Sequence, residues 1–162
     1  MRTSFIIDEK EIEQTIQECD ICYLGIVGEN NEAPYVIPMN FGYKDGEFIL
    51  HSGPHGKHLD LLRKNNKVCI TLCSGRTLRY QHPDVACSYS MESKSVVCTG
   101  TVSFVDDEDL ETKEALRNCL MKNYSDRKFT YSKPALRNVK VWRVKVEELS
   151  AKSFGQNFRT SF

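Results

Sequence analysis

The clearest pattern of hydrophobic and polar positions lies between residues 33 and 67, where a two-residue period is followed by a helical one. Large apolar residues first alternate with smaller or polar ones, at Tyr35, Ile37, Met39, Phe41 and Tyr43. This period predicts a strand over residues 35–43 with two different faces. Asp45-Gly46 predicts a tight turn, because glycine adopts positive φ, and residues 47–51 form the return strand. Pro38 cannot donate a ladder hydrogen bond, so the first strand is expected at a sheet edge or to be locally irregular.

A loop of small residues follows the return strand and leads into a helix. Residues 52–57 read SGPHGK and precede Leu59 and Leu62, which have helical spacing. Glycines let a backbone approach a ligand closely, and a helix start offers unpaired N–H groups and a positive dipole end. With a hydroxyl from Ser52 and a charge from Lys57, the loop is a candidate phosphate site. Its spacing fits neither a Walker A loop nor a Rossmann turn, and a connection that binds nothing is the alternative interpretation.

The rest of the chain predicts about six strands and three helices. Helices are expected over residues 8–18, from the end of the 52–57 loop to about residue 65, and after Asp106-Asp107, whose carboxylates would cap the third helix. Further strands are expected over residues 22–27, 68–72, 94–105 and 139–146, with a bulge or bend at Gly100. Residues 75–92 and 127–137 are expected as connections, and the tail from residue 150 shows no period beyond Phe154, Phe158 and Phe162. A small closed or split barrel accommodates these elements, since closure removes exposed edges.

Composition narrows the class of protein. The 162 residues predict one domain over 1–162. Lys and Arg number 22, as do Asp and Glu, so the zero net charge argues against a nucleic-acid partner. No apolar run approaches a signal peptide or a membrane span, so no membrane partner is expected. The seven cysteines have no disulfide-framework spacing and favour a reducing cytoplasm.

Two groups of metal-ligating side chains are weak candidates for chemistry. Cys19-x-x-Cys22 lacks a second cysteine pair for zinc, and a strand rather than a helix is predicted to follow it. His51, His55 and His58 are predicted at a strand end, in a loop and at a helix start, with no convergent spacing. No metal site and no catalytic nucleophile are therefore predicted, and any redox chemistry would belong to a cofactor.

The order of these segments is similar to a known family. Five segments follow one another between residues 34 and 71: PYVIPMNFGY, a D-G turn, FILHS, GKHLDLL and NNKVCIT. This succession resembles the FMN-binding split-barrel proteins related to pyridoxamine 5′-phosphate oxidase, most of all the branch of nitroimidazole-resistance reductases. Residues 85–87, 95–100 and 147–152 resemble later signatures of that branch. Ser93 and Ala151 stand where the branch usually has Tyr and Gly, and the pyridoxamine-phosphate-binding pattern of the true oxidases is not evident.

The resemblance implies a mainly β fold, a six-stranded antiparallel FMN-binding split barrel with peripheral helices. It implies a homodimer with two FMN sites at the subunit interface. The isoalloxazine ring would face a run of five residues, Val36, Ile37, Pro38, Met39 and Asn40. The ribityl phosphate would be held by residues of the following loop and a neighbouring strand, His51, Ser52, Gly56, Lys57 and Ser95.

Two main functions agree with this resemblance. The first is an FMN-dependent oxidoreductase that passes electrons from NADH or NADPH to a small nitroaromatic or quinone acceptor. The second is a non-catalytic flavin- or tetrapyrrole-binding protein, and a structural dimer with an empty site is a third interpretation. Fold alone does not separate these functions.

Overall fold

The computed structural model describes residues 2–30 and 32–155. This part of the chain forms eight strands: β1 (Arg2–Ile6), β2 (Cys22–Ile26), β3 (Tyr35–Met39), β4 (Gly42–Lys44), β5 (Glu47–Ser52), β6 (Lys67–Arg79), β7 (Ser90–Phe104) and β8 (Lys140–Gly155). It also forms four α-helices: α1 (Glu9–Gln17), α2 (Lys57–Lys64), α3 (Leu110–Met121) and α4 (Lys133–Arg137). Asn31 lies outside the described residues, as do Phe158 and Phe162 of the tail.

The strands form one sheet in the order β3-β2-β6-β7-β8-β5-β4, and β1 pairs with β8. The pairings of β2 with β3 and β6, and of β8 with β1 and β5, are antiparallel. The predicted mainly β, antiparallel fold is therefore confirmed. The described residues contain eight strands rather than six, because β1 was not predicted and β3 and β4 are separate.

Two compact units make up the described chain. We call them the terminal unit, within residues 1–19, 72–97 and 150–162, and the central unit, residues 20–71 and 98–149. The central unit buries most of the large apolar side chains, among them Phe41, Phe48, Leu59, Ile70 and Trp142. The terminal unit has a smaller core that includes Ile16, Leu72 and Val96.

The predicted strand over residues 35–43 is interrupted, because β3 and β4 pair with different strands of the central unit. The break falls at Phe41, whose backbone N–H donates to the Tyr124 hydroxyl at 2.8 Å instead of to a neighbouring strand. That hydroxyl donates in turn to the Asp20 carbonyl oxygen at 2.8 Å. The turn at Asp45-Gly46 is as predicted, with φ of 51° and 77°.

The connection predicted over residues 75–92 is wrong, because β6 continues to Arg79 and β7 begins at Ser90. Only residues 80–89 connect the two strands, with a short 3-10 helix over Ala86–Ser88. Cross-strand contacts hold this end of the terminal unit together. Tyr80 stacks on Tyr89 at 4.8 Å between ring centroids, and Arg79 pairs with Glu92 at 2.9 Å. Gly75, which suggested a loop, has a φ of 63° within β6.

One helix prediction is confirmed, and a second is only partly right. Asp8 caps α1 as expected, accepting from the Lys10 N–H at 2.9 Å. The cap of α3 is Asp109, which accepts from the Thr112 N–H, rather than Asp106-Asp107. Asp107 instead contacts Lys113 and Lys140.

The segments on either side of residue 139 contain more regular structure than predicted. Residues 127–137 were expected as a connection, yet Ser132 caps α4, with its hydroxyl accepting from the Ala135 N–H. The last strand continues to Gly155, because its end pairs with β1. No helix within residues 2–30 and 32–155 is long and apolar enough to cross a membrane.

Candidate functional site

The predicted phosphate-binding loop ends at the start of α2, where Gly56 is the N-cap residue. Gly56 has a φ of 142°, which glycine adopts far more readily than other residues. Its carbonyl oxygen accepts from the Leu59 N–H at 2.9 Å, and no side chain in the described part of the chain caps the helix. The first-turn N–H groups of α2 therefore lack a side-chain acceptor, which is the arrangement that binds anions at helix starts.

Ser52 and His58 are joined across this loop. The Ser52 hydroxyl donates to the Gly53 carbonyl oxygen at 2.8 Å, and its oxygen lies 2.8 Å from His58 Nε2. In the tautomer that satisfies both contacts, the hydroxyl donates to the carbonyl and His58 Nε2 donates to Ser52. A Cβ on Gly56 would lie 2.9 Å from His58 Nδ1, so glycine makes room for the imidazole. We call Ser52, Gly56, Lys57 and His58 the α2 cradle.

His58 is half-buried, and its ring centroid lies 6.1 Å from that of the fully buried Trp142. Burial lowers the pKa of His58, while the nearby Asp60 carboxylate acts in the opposite direction. The sequence assigned His58 no role, because its spacing from Ser52 is not that of any metal or catalytic motif. Only the packing of α2 on β5 and β8 brings it to the loop.

His51 lies on β5 immediately before the cradle. Its Nδ1 atom is buried and has no hydrogen-bond partner within residues 2–30 and 32–155, and the same holds for Trp142 Nε1. Burial lowers the pKa of His51, and the Arg117 charge lowers it further. His51 and Ser52 are successive residues of β5, so their side chains lie on opposite faces of the strand, and the charge that acts on His51 comes from Arg117 of α3.

Lys57 already has an anionic neighbour. Its ammonium lies 3.1 Å from a Glu32 carboxylate oxygen and 5.6 Å from the centroid of the Tyr35 ring. At the other end of α2, Lys64 pairs with Glu29 at 2.7 Å. The loop between β2 and β3 is thus tied to both ends of α2, and Glu32, which the sequence analysis did not single out, shares the Lys57 charge.

The residues predicted to face a ring lie on β3, at one end of the sheet order. The edge position predicted from Pro38 is therefore confirmed. Val36, Pro38 and Asn40 are exposed, whereas Ile37 and Met39 are half-buried. One side of β3 pairs with β2, and its other side has no partner strand in the described sheet.

A groove of about 780 Å³ runs over the central unit beside β3. Strands β2, β3, β6 and β7 contribute to its walls, and Val36 lines it. Glu32, the ion-pair partner of Lys57, lines it as well. Its exposed apolar side chains include Tyr23 and Val36, which are 49% and 57% accessible. At its rim Lys67 pairs with Glu147 at 2.7 Å. We call this surface the strand groove.

The structure brings some of the predicted site residues together and separates others. Ser52 and Gly56 both contact His58, and Lys57 follows Gly56 at the start of α2, where its Tyr35 contact links it to the start of β3. His51 precedes Ser52 on β5, and its side chain lies on the opposite face of the strand. Residues 37–40 continue away from that contact along and just beyond β3. Ser95 lies half-buried on β7 in the terminal unit.

The polar groups of the α2 cradle are a hydroxyl, backbone N–H groups, an ammonium and an imidazole, a set that suits a phosphate group. Within residues 2–30 and 32–155, no three His, Cys, Asp or Glu side chains cluster so as to hold a metal ion.

Comparison with known proteins gives consistent results. The sequence profile of the family named pyridoxamine 5′-phosphate oxidase matches residues 8–153. The solved structure of a candidate 5-nitroimidazole antibiotic resistance protein from Bacteroides thetaiotaomicron is 45% identical in sequence. Its TM-score is 0.84, and the match covers 95% of this chain and 89% of that chain. Among curated proteins, no match is found.

Two other solved structures share the fold at low identity. The FAD and heme binding protein from Mycobacterium smegmatis is 12% identical with a TM-score of 0.77, over 96% of this chain and 75% of that chain. An FAD-binding protein from Mesorhizobium loti is 19% identical with a TM-score of 0.65, over 94% and 99%. Because the family profile and a 45% identical relative both span most of the chain, this protein belongs to the pyridoxamine 5′-phosphate oxidase family and has its split-barrel fold.

Proposed function

We propose that this protein is an FMN-dependent oxidoreductase that transfers electrons from NADH or NADPH to a small nitroaromatic or quinone acceptor. The observation that carries the proposal is the α2 cradle, an uncapped helix start with Ser52, Lys57 and His58 around Gly56. Similarity to a candidate 5-nitroimidazole resistance protein over nearly the whole chain supports the choice of acceptor.

The α2 cradle would hold the 5′-phosphate of FMN. Backbone N–H groups of the first turn would donate to the phosphate oxygens, and Lys57 would add a charge-assisted hydrogen bond. Ser52 would complete the polar contacts, because it is the β5 residue that faces α2.

The edge strand β3 would orient the isoalloxazine ring. Val36 and Pro38 offer exposed apolar surface, and backbone groups on the unpaired side of β3 are available to the polar edge of the ring. Asn40 adds an exposed amide beyond the end of the strand. Bound FMN would supply the electron-transfer chemistry, so no side-chain nucleophile is required.

A monophosphate cofactor suits the α2 cradle better than a dinucleotide. Lys57 shares its charge with Glu32 at 3.1 Å, so a second phosphate near this carboxylate would meet like-charge repulsion. We therefore propose FMN as the cofactor of this chain, although the two low-identity neighbours described above are named for FAD.

The proposed enzyme is a cytoplasmic homodimer of single-domain chains, residues 1–162, with its flavin sites at the subunit interface. The exposed apolar side chains of the strand groove support this arrangement, because monomeric proteins rarely leave a large apolar groove uncovered.

The first experiment is an absorption spectrum of the purified protein, recorded before and after loading with FMN and desalting. Flavin bands that survive desalting are expected with FMN and not with FAD. Steady oxidation of NADH or NADPH in the presence of a nitroaromatic compound would then support the oxidoreductase. Retained FMN without turnover would favour a non-catalytic flavin-binding protein, and protein that holds no flavin would contradict the proposal.

Substitutions in α2 test the position of the phosphate. Lys57→Ala is expected to weaken FMN binding about tenfold or more, because a charge-assisted hydrogen bond is lost. Lys64→Ala is the matched control, since Lys64 lies on the same helix and pairs with a glutamate of the same loop. If Lys57→Ala and Ser52→Ala both retain FMN as well as the parent protein, the phosphate does not bind here.

A further inference from the structure

His58 is the member of the α2 cradle whose charge depends on pH. Its Nε2 atom lies 2.8 Å from the Ser52 hydroxyl oxygen, and that hydroxyl already donates to the Gly53 carbonyl. In the tautomer that satisfies both contacts, neutral His58 carries its proton on Nε2, and Nδ1 has a lone pair and no proton to donate. Nδ1 lies against Gly56, where a Cβ would approach it to 2.9 Å.

The other residues of the α2 cradle supply only one positive charge to a bound phosphate. Lys57 is the only other charged member, and Glu32 at 3.1 Å already offsets part of its charge. A phosphate dianion at the first turn of α2 would gain a charge-assisted donor if the imidazole next to Gly56 became protonated. Protonation adds a hydrogen to Nδ1 without breaking the Nε2 hydrogen bond to Ser52.

We infer that His58 is a second phosphate-binding group, and that its imidazole takes up a proton from solvent when the 5′-phosphate of FMN binds. This inference rests on the proposed function, since it concerns the same cofactor at the same site. FMN affinity would then depend on pH through the protonation of His58 as well as through the ionisation of the phosphate.

The surroundings of His58 set the direction of the effect. On α2 the Asp60 carboxylate favours the charged imidazole, although Arg63 binds that carboxylate at 3.0 Å. On β8 the indole of Trp142 is uncharged, and burial next to it lowers the pKa of His58.

The β5 neighbours add no counter-charge. Ser52 does not ionise in this range, and His51 is itself kept neutral by burial, which lowers its pKa. Lys140, opposite Ser52 in the β5–β8 register, is bound by Asp107. His58 is thus mostly neutral at pH 7 in the free protein, and a bound phosphate is the missing anion that would raise its pKa.

The coupling between proton binding and FMN binding determines whether affinity rises or falls with pH. A group whose pKa is higher in the complex than in the free protein strengthens binding as pH falls from the bound pKa to the free pKa. One unit of difference corresponds to about a tenfold gain in affinity. The phosphate of FMN loses charge below about pH 6, which acts in the opposite direction, so the comparison must be made against a variant that cannot ionise.

The test measures dissociation constants of FMN and riboflavin by fluorescence quenching between pH 8.5 and pH 6, for the parent chain, His58→Gln and His58→Lys. Gln keeps an N–H donor for Ser52 without ionising, and Lys carries its charge throughout. We expect the ratio of FMN affinities, parent over His58→Gln, to rise about tenfold as pH falls. Riboflavin, which has no phosphate, should give a flat ratio, and the ratio for His58→Lys over His58→Gln should be raised at every pH.

A parallel measurement of heat in buffers of different ionisation enthalpy should show proton uptake on FMN binding at pH 7.5 by the parent and not by His58→Gln. Equal pH dependence of FMN binding in the parent and His58→Gln would overturn the inference and leave the proposed function intact. Failure of both flavins to bind at any pH would overturn the proposed function and the inference with it.

Discussion

A single buried charge, Lys113, joins three segments of the central unit. Its side chain is fully buried, and its ammonium donates to the carbonyl oxygens of Asp107, Leu136 and Val139 at 3.0–3.2 Å. The Asp107 carboxylate lies 3.3 Å away. A buried ammonium is tolerated only when its hydrogen-bond donors are satisfied, so these contacts fix the turn before α3 and the end of α4 in place.

Replacing Lys113 by Met keeps most of the apolar stem and removes the charge. We expect Lys113→Met to lower the free energy of unfolding by about 2–4 kcal/mol, because three carbonyl oxygens lose their donor. Denaturant unfolding followed by circular dichroism measures the change. Lys128→Met, at an exposed position, is the control and should change stability by less than about 0.5 kcal/mol. Equal stability of the two variants would contradict this role of Lys113.

Close approaches between elements depend on glycine at two positions of the central unit. A Cβ on Gly42 in β4 would lie 2.6 Å from the Leu120 Cα of α3. A Cβ on Gly100 in β7 would lie 2.3 Å from the Lys145 carbonyl oxygen of β8. Gly100 lies within β7, and the backbone of the neighbouring strand leaves no room there for a side chain. In both cases the obstacle is backbone, which cannot move aside as a flexible side chain can.

The contact of β4 with α3 gives a prediction about an element. Gly42→Ala should lower the free energy of unfolding by about 1–3 kcal/mol, because α3 must shift away from the strand. Gly53→Ala is the matched control, since a Cβ on Gly53 would meet no atom within 4 Å. Thermal and denaturant unfolding of both variants measures the difference, and an unchanged Gly42→Ala protein would show that α3 relaxes without cost.

At the scale of the whole molecule, the strand groove is an exposed apolar surface. Tyr23, Val27 and Val36 are about half exposed on one surface of the central unit, next to the edge strand β3. A second copy of the chain is the occupant that the proposed function requires, because the FMN site would lie between two subunits. The ion pair of Lys67 with Glu147 would then form part of the polar rim of the interface.

Substitution in the strand groove tests this assembly. Val36→Lys is expected to convert a dimer into a monomer, because an unpaired ammonium would be buried at the interface. Light scattering coupled to size-exclusion chromatography gives the mass of parent and variant. Glu13→Lys, which adds positive charge on the exposed side of α1 and does not line the groove, should leave the mass unchanged. A parent protein that elutes as a monomer would contradict the homodimer directly.

Much of the fold could be predicted because it depends on patterns of residues that are close together in the sequence. The alternation around Pro38 gave an edge strand, Asp45-Gly46 gave the hairpin turn, and Asp8 gave the start of α1. The errors fall where a distant residue overrides a local signal. Tyr124 interrupts the strand at Phe41 from 83 residues away, and stacking of Tyr80 on Tyr89 extends β6 and β7 through a segment that looked like a loop.

The sequence by itself determined the family, the antiparallel β architecture and the small-residue loop before α2, because order, period and glycine content are properties of neighbouring residues. Only the tertiary structure placed His58 on Ser52 and Glu32 on Lys57. Both contacts depend on how α2 packs against β5, β8 and the loop after β2. Their effect on a phosphate is decided by burial and by charges from other elements, and neither quantity can be read from the spacing of residues along the chain.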